Sequence, residues 1–170
     1  MNLERIFTDR ITKEQNNEIY LWIGESQAKF DQLMPFLLEE DYRLCQRASW
    51  VFGKVCENRP ELMMKWMPKI LKALDKPKHA ALVRNVVRAW QFMNNYPEEY
   101  EGEIYNRCFD YLSGPDQPIA VKVFCMTVCR KIAMKHPDLK SELIMVISEN
   151  INHGSTGMKN RGANELQMLQ

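Results

Sequence analysis

Apolar residues recur at helical spacing along most of the chain. Leu62, Met63, Trp66, Met67, Ile70, Leu71 and Leu74 form one stripe, and Lys65, Lys69, Lys72 and Lys76 form the opposite one. That is the pattern of an amphipathic helix with its lysines in water. After a Lys-Pro-Lys break, Leu82, Val83, Val86, Val87, Trp90 and Met93 make a second stripe, with Asp75, Pro77 and His79 marking the turn.

This two-helix unit recurs. Met34-Pro35-Phe36-Leu37-Leu38 is echoed by Met67-Pro68-Lys69-Ile70-Leu71, and Arg59-Pro60-Glu61-Leu62 by His136-Pro137-Asp138-Leu139. Arg47 and Arg84 are 37 positions apart, and Pro60 and Pro97 share that separation. A repeat of about 37–41 residues with two helices predicts an α-solenoid. The pattern places a leading helix at 13–23, opened by Thr12 with Gln15 three residues on as a capping box. Outer helices are expected near 27–38, 61–74, 99–112 and 138–151, and inner helices near 41–57, 79–94, 117–135 and 157–168. The connections are rich in turn residues, with Pro where a helix can start. The chain is therefore read as one domain over 1–170: an N-terminal helical cap (1–26) and repeats 27–58, 59–96, 97–136 and 137–169.

Composition agrees. The 170 residues contain only seven Gly, and Leu, Met, Glu, Lys and Ala fill much of the chain, with no clean period-2 alternation. The fold class is all-α. No apolar run approaches the roughly 18 residues of a membrane span, and the first residues lack the apolar core of a signal peptide. Five cysteines, none in a C-x-x-C pair, are expected as buried thiols of a cytoplasmic protein. Cys125 and Cys129 stand at i,i+4 on a helix, but no His or third Cys lies at ligand spacing, so no metal and no cofactor is expected.

The residues resemble HEAT repeats, in particular small HEAT-repeat proteins of bacterial type. The first copy reads Pro35, Leu37, Leu38 and Asp41, then Cys45-Gln46-Arg47-Ala48. The second reads Pro68, Leu71, Leu74 and Asp75, then Leu82-Val83-Arg84. The third is degenerate, with Tyr111-Leu112, Pro115-Asp116 and Ala120-Val121-Lys122, and the fourth keeps Asn160-Arg161-Gly162-Ala163. The resemblance covers about residues 27–168. It implies a right-handed α-α superhelix of about four helical hairpins with inner helices on a concave face, and it implies no chemistry.

Polar residues follow the inner helices. Arg43, Arg47 and Lys54 stand on the first with Trp50 among them; Arg84, Arg88 and Gln91 on the second; Lys122 and Arg130 on the third. These nine are the candidate concave-face binding residues. In the competing reading, Arg47, Arg84 and Lys122 reach acids of neighbouring repeats, such as Asp41 or Asp75, and only hold the stack. Trp66 and Trp90 fit the core stripes. Trp50 leans off the stripe of its helix (Leu44, Ala48, Val51 and Val55) and is open to either inter-repeat packing or ligand contact.

Charge is unevenly distributed. Residues 59–96 carry eight Lys/Arg against two Asp/Glu, yet the whole chain is only +1, too little for a strongly basic nucleic-acid binder. Glu98, Glu99, Glu101 and Glu103 crowd a helix start, where the dipole favours them as a solvated cluster. Gly154-Ser155-Thr156-Gly157-Met158-Lys159 lacks phosphate-loop spacing and is read as a turn before the last helix. His79, His136 and His153 are scattered, two of them at helix boundaries. No nucleophile–base pair or metalloprotease motif is present. The expected function is a non-catalytic protein-binding or scaffold module using the concave face, with no enzyme activity. The alternative is nucleic-acid binding through a basic concave strip, similar to the HEAT-like DNA-alkylation-repair glycosylases, whose concave acid has no counterpart between Asp116 and Asp138.

Overall fold

A computed structural model describes residues 1–170, and it contains helices without a strand. Ten α-helices follow in order: α1 (Leu3–Thr8), α2 (Lys13–Ile23), α3 (Gln27–Leu37), α4 (Tyr42–Asn58), α5 (Met67–Asp75), α6 (Ala80–Trp90), α7 (Glu98–Ser113), α8 (Ile119–Ala133), α9 (Lys140–His153) and α10 (Thr156–Leu169). The all-α hairpin pattern is therefore as expected, and the chain forms two compact units, Met1–Asn94 and Asn95–Gln170.

In the first unit α4 is the central element and packs on α1, α2, α3 and α6. Asp41 starts it by accepting the Arg43 N–H at 2.7 Å. Cys45, Ala48, Val51, Phe52, Val55 and Cys56 are all buried, whereas Leu44 is only half-buried. α3 contributes Phe30, Leu33, Met34 and Leu37 at i, i+3, i+4 and i+7. α2 begins with the anticipated capping box: Thr12 N–H donates to Gln15 Oε1 at 2.9 Å, and Gln15 N–H donates to Thr12 Oγ1 at 3.2 Å.

Two features depart from the sequence reading. The first is α1, a short helix that no stripe announced. Its Phe7 is fully buried and meets Phe36 edge-on, with ring centroids 5.3 Å apart. The second is the expected helix at 61–74, which is a 3-10 segment over Pro60–Trp66 followed by α5. Pro68 explains the break, because it lacks an N–H and its ring crowds the carbonyl four residues back. The chain before it tightens to i→i+3 bonding. Asp31 holds this segment against α3, accepting from Lys65 Nζ, from Trp66 Nε1 at 2.7 Å and from Gln27 Nε2 at 2.9 Å. Trp66 is accordingly half-buried, while Trp90 is fully buried.

α4 and α6 approach closely at Gly53. A Cβ there would lie 2.6 Å from Asn85 Oδ1 and 3.2 Å from Asn85 Cβ. Asn85 is buried, donates from Nδ2 to the Ala81 carbonyl at 2.9 Å, and has no donor for Oδ1.

In the second unit α8 packs on α7, α9 and α10, and α9 packs on α10. Its core includes Ile104, Cys108, Leu112, Cys125, Met126, Cys129, Leu143 and Ile147. All five cysteines of the chain are free and buried. Ser155 caps α10, so the Gly154–Lys159 stretch is a turn into a helix, as expected. The acidic cluster at the start of α7 is not merely solvated. Glu101 accepts from Lys135 Nζ and pairs with His136 Nε2, each at 2.7 Å, tying the start of α7 to the chain just after α8. Burial alone would raise the Glu101 carboxyl, but these hydrogen bonds outweigh it and hold it below its usual range.

Gly53→Ala is expected to lower unfolding stability by about 1–3 kcal/mol through overpacking. Adding Asn85→Ala should restore part of the loss, and denaturant melts of the two single variants and the double variant measure this coupling. Because the Glu101 pKa is lowered on folding, its contribution is complete above the ordinary carboxylate value and is lost as pH falls through the lowered one. The stability difference between wild type and Glu101→Gln should therefore shrink on acidification below about pH 4.5, in melts followed by circular dichroism.

Candidate functional site

A groove of the Met1–Asn94 unit is bounded by three elements. The Arg10–Lys13 stretch that leads into α2 forms one side. The first half of α4 presents Tyr42, Arg43, Gln46, Arg47 and Trp50, and the first half of α6 presents Ala81, Arg84 and Asn85. On each helix these positions are three or four residues apart, so they share one face. The groove encloses about 800 Å³, and no acidic residue lines it.

Its cations differ in what they do. Arg47 Nη1 donates to the carbonyls of Phe7 and, at 2.9 Å, of Thr8. These belong to the last turn of α1, where carbonyls lack partners within the helix. The expected acid partners for Arg47, Arg84 and Lys122 are thus corrected: Arg47 reaches main-chain oxygens, because the unforeseen α1 ends beside it. Arg43 lies over the Tyr42 ring, 5.6 Å from its centroid, and donates from Nε to the Tyr42 hydroxyl at 3.0 Å. Tyr42 in turn stacks on His79, which caps α6 by accepting the Ala81 N–H at 3.0 Å. Arg10, Lys13 and Arg84 are exposed, and their side chains make no hydrogen bond or close ion pair. Trp50 is 37% exposed and has no hydrogen-bond or ring partner.

Of the nine residues singled out from the sequence, Arg43, Arg47, Trp50 and Arg84 come together in this groove. The others do not line it. Lys54 Nζ donates to Asn17 Oδ1 at 2.7 Å and lies over the Tyr20 ring. Arg88 pairs with Glu57 at 2.5 Å. Gln91 is half-buried at the C-terminal end of α6. Lys122 and Arg130 belong to the other unit and are engaged within it. Lys122 Nζ donates to Asn150 Oδ1 at 3.0 Å. Arg130 Nε donates at 2.8 Å to Glu165, a carboxylate only 3% exposed. Thr127 Oγ1 also donates to Glu165, so this buried charge is fully partnered. Arg10, Lys13, Tyr42 and Gln46 were not foreseen. The sequence placed Arg10 and Lys13 beside a capping box, but it is the packing of α1 and α2 on α4, with the Arg47 tie to α1, that brings that stretch against α4.

A second, smaller cavity of about 480 Å³ lies in the Asn95–Gln170 unit and mixes Lys122 and His153 with Glu149. No group of three or more His, Cys, Asp or Glu residues is placed to hold a metal. No helix is long and apolar enough to cross a membrane.

Consecutive helical hairpins and an open cationic groove define a helical-repeat protein. The model of the HEAT repeat domain matches residues 3–166, and the chain belongs to the HEAT repeat family. HEAT repeats generally act as protein-interaction or scaffold modules and are generally non-catalytic. Comparison with curated proteins gave no match, nor did comparison with solved structures.

Arg47→Ala should cost about 1–2 kcal/mol of stability, since it strips hydrogen bonds from two carbonyls at the end of α1. Arg84→Ala should stay within about 0.5 kcal/mol of wild type. Parallel denaturant titrations of the two variants separate the structural arginine from the free one.

Proposed function

We propose that this protein is a non-catalytic binding module that holds a segment of a partner protein in the cationic groove of its N-terminal unit. The observation that carries the reading is the set of exposed cations, Arg10, Lys13 and Arg84, whose side chains make no hydrogen bond or close ion pair, gathered with Arg43 around a half-open indole, Trp50. Elsewhere in the molecule the candidate cations are tied to Asn17, Glu57, Asn150 and Glu165. Arginine and tryptophan in a concave, partly desolvated setting are the residue types that most often dominate protein interfaces. The five buried free thiols support a reducing, cytoplasmic location.

Nucleic-acid binding is the second reading, favoured by the exposed indole beside arginines, an arrangement on which bases stack. It is the weaker of the two. Polynucleotide affinity grows with each phosphate neutralised, and the chain as a whole carries a formal net charge of only +1.

Affinity capture from native extract at physiological salt, with wild type and the double variant Arg84→Glu/Trp50→Ala, tests the proposal. A protein recovered by wild type and lost from the variant, with both baits equally folded, is the expected result. Nuclease-sensitive recovery of nucleic acid in its place would favour the second reading.

A further inference from the structure

We infer that the groove is built for a short acidic peptide segment carrying one large apolar residue, and this rests on the protein-binding reading above. Charge gives the first half of the argument. Cations reach the groove from three separate places: Arg10 and Lys13 at the start of α2, Arg43 and Arg47 on α4, and Arg84 on α6. No carboxylate lines it, and the nearby Glu14 and Asp41 act only on Lys13 and Arg43, from outside the groove. An occupant that brings its own carboxylates neutralises this field, whereas a neutral or basic one adds nothing or repels. Arg84 has its whole guanidinium free, and Arg43 commits only Nε to the Tyr42 hydroxyl, leaving both terminal nitrogens. Each can form the two-pronged pairing with a carboxylate that arginine favours.

The apolar half comes from Trp50. It stands on the groove-facing side of α4 with more than a third of its surface open, and Ile11 and Ala81 line the same space. A large aliphatic or aromatic residue of the occupant would cover the indole and remove apolar surface from water.

Size and reach set the length. About 800 Å³ lies within the roughly 300–1,000 Å³ typical of sites for compact ligands. A few residues fill it. Lys54 and Arg88, farther along α4 and α6, are already held by Asn17 and Glu57, so no run of free cations leads onward from the groove.

The test uses the full-length protein and fluorescence anisotropy with three labelled probes. One is a hexapeptide of Glu and Asp around a central Phe and Leu, the second its Gln/Asn counterpart, and the third a thymidine oligonucleotide. The acidic peptide should bind at least about tenfold more tightly than its neutral counterpart and weaken as salt is raised. Arg84→Glu should reduce its affinity by about tenfold with unchanged melting temperature, and Trp50→Ala should reduce it by about tenfold when measured well below the lower melting temperature that losing its packed surface brings. Lys69→Glu, on an exposed lysine outside the groove, should leave it unaltered. Equal binding of the two peptides overturns the acidic assignment and leaves the protein-binding reading standing. Oligonucleotide binding with the acidic peptide silent overturns both. Failure of all three probes overturns the inference alone, since the parent reading is decided by partner capture.

Discussion

Four other helices, α1, α2, α3 and α6, lean on α4, and this crowding shapes everything in the N-terminal unit. A helix covered on so many sides must offer each neighbour a different surface. α4 does so with the aromatic Phe52, the small Ala48 and the bare backbone of Gly53, where α6 lays Asn85 directly against it. The one side left open carries Arg43, Gln46, Arg47 and Trp50. The groove is therefore what remains of α4 once its packing needs are met. Its walls are fixed because the helices that form them are held by a close-packed core.

Within that frame the polar side chains divide into holders and unengaged groups. Arg47, Lys54, Arg88, Lys122 and Arg130 each donate to a carbonyl, an amide oxygen or a carboxylate of a neighbouring element. The repeated basic position of the inner helices thus serves the stack in most copies. Only where α6 begins does the same position, Arg84, find nothing to hold. A stripe that looks uniform along the chain is therefore functionally discontinuous in space.

Periodicity revealed most of the architecture. Apart from the start of α5, the 3.6-residue stripes and Pro-marked turns located α2 to α10 closely, because each helix must bury an apolar face and each turn needs its special residues. What escaped has physical causes. α1 is too short for a stripe to be visible and owes its place to Phe7 and to Arg47, forty positions away. The split at Pro68 is a local steric matter, written in the sequence at a single residue. The site was half legible: Arg43, Trp50 and Arg84 follow from helix phase, but whether a cation is free depends on the three-dimensional placement of partners such as Glu57 and Glu165. Helix phase carries no such information.

The cysteines, met above only as core residues, have a practical consequence. All five are buried, and removal from water pushes every one of their thiols above the ordinary range. Thiolate, the species that attacks alkylating reagents, is thereby suppressed throughout the folded chain. The native protein is in effect a silent background for maleimide chemistry. A single cysteine introduced at Gln46 would take up a dye or spin label alone, and report from inside the groove without any of the natural cysteines being replaced.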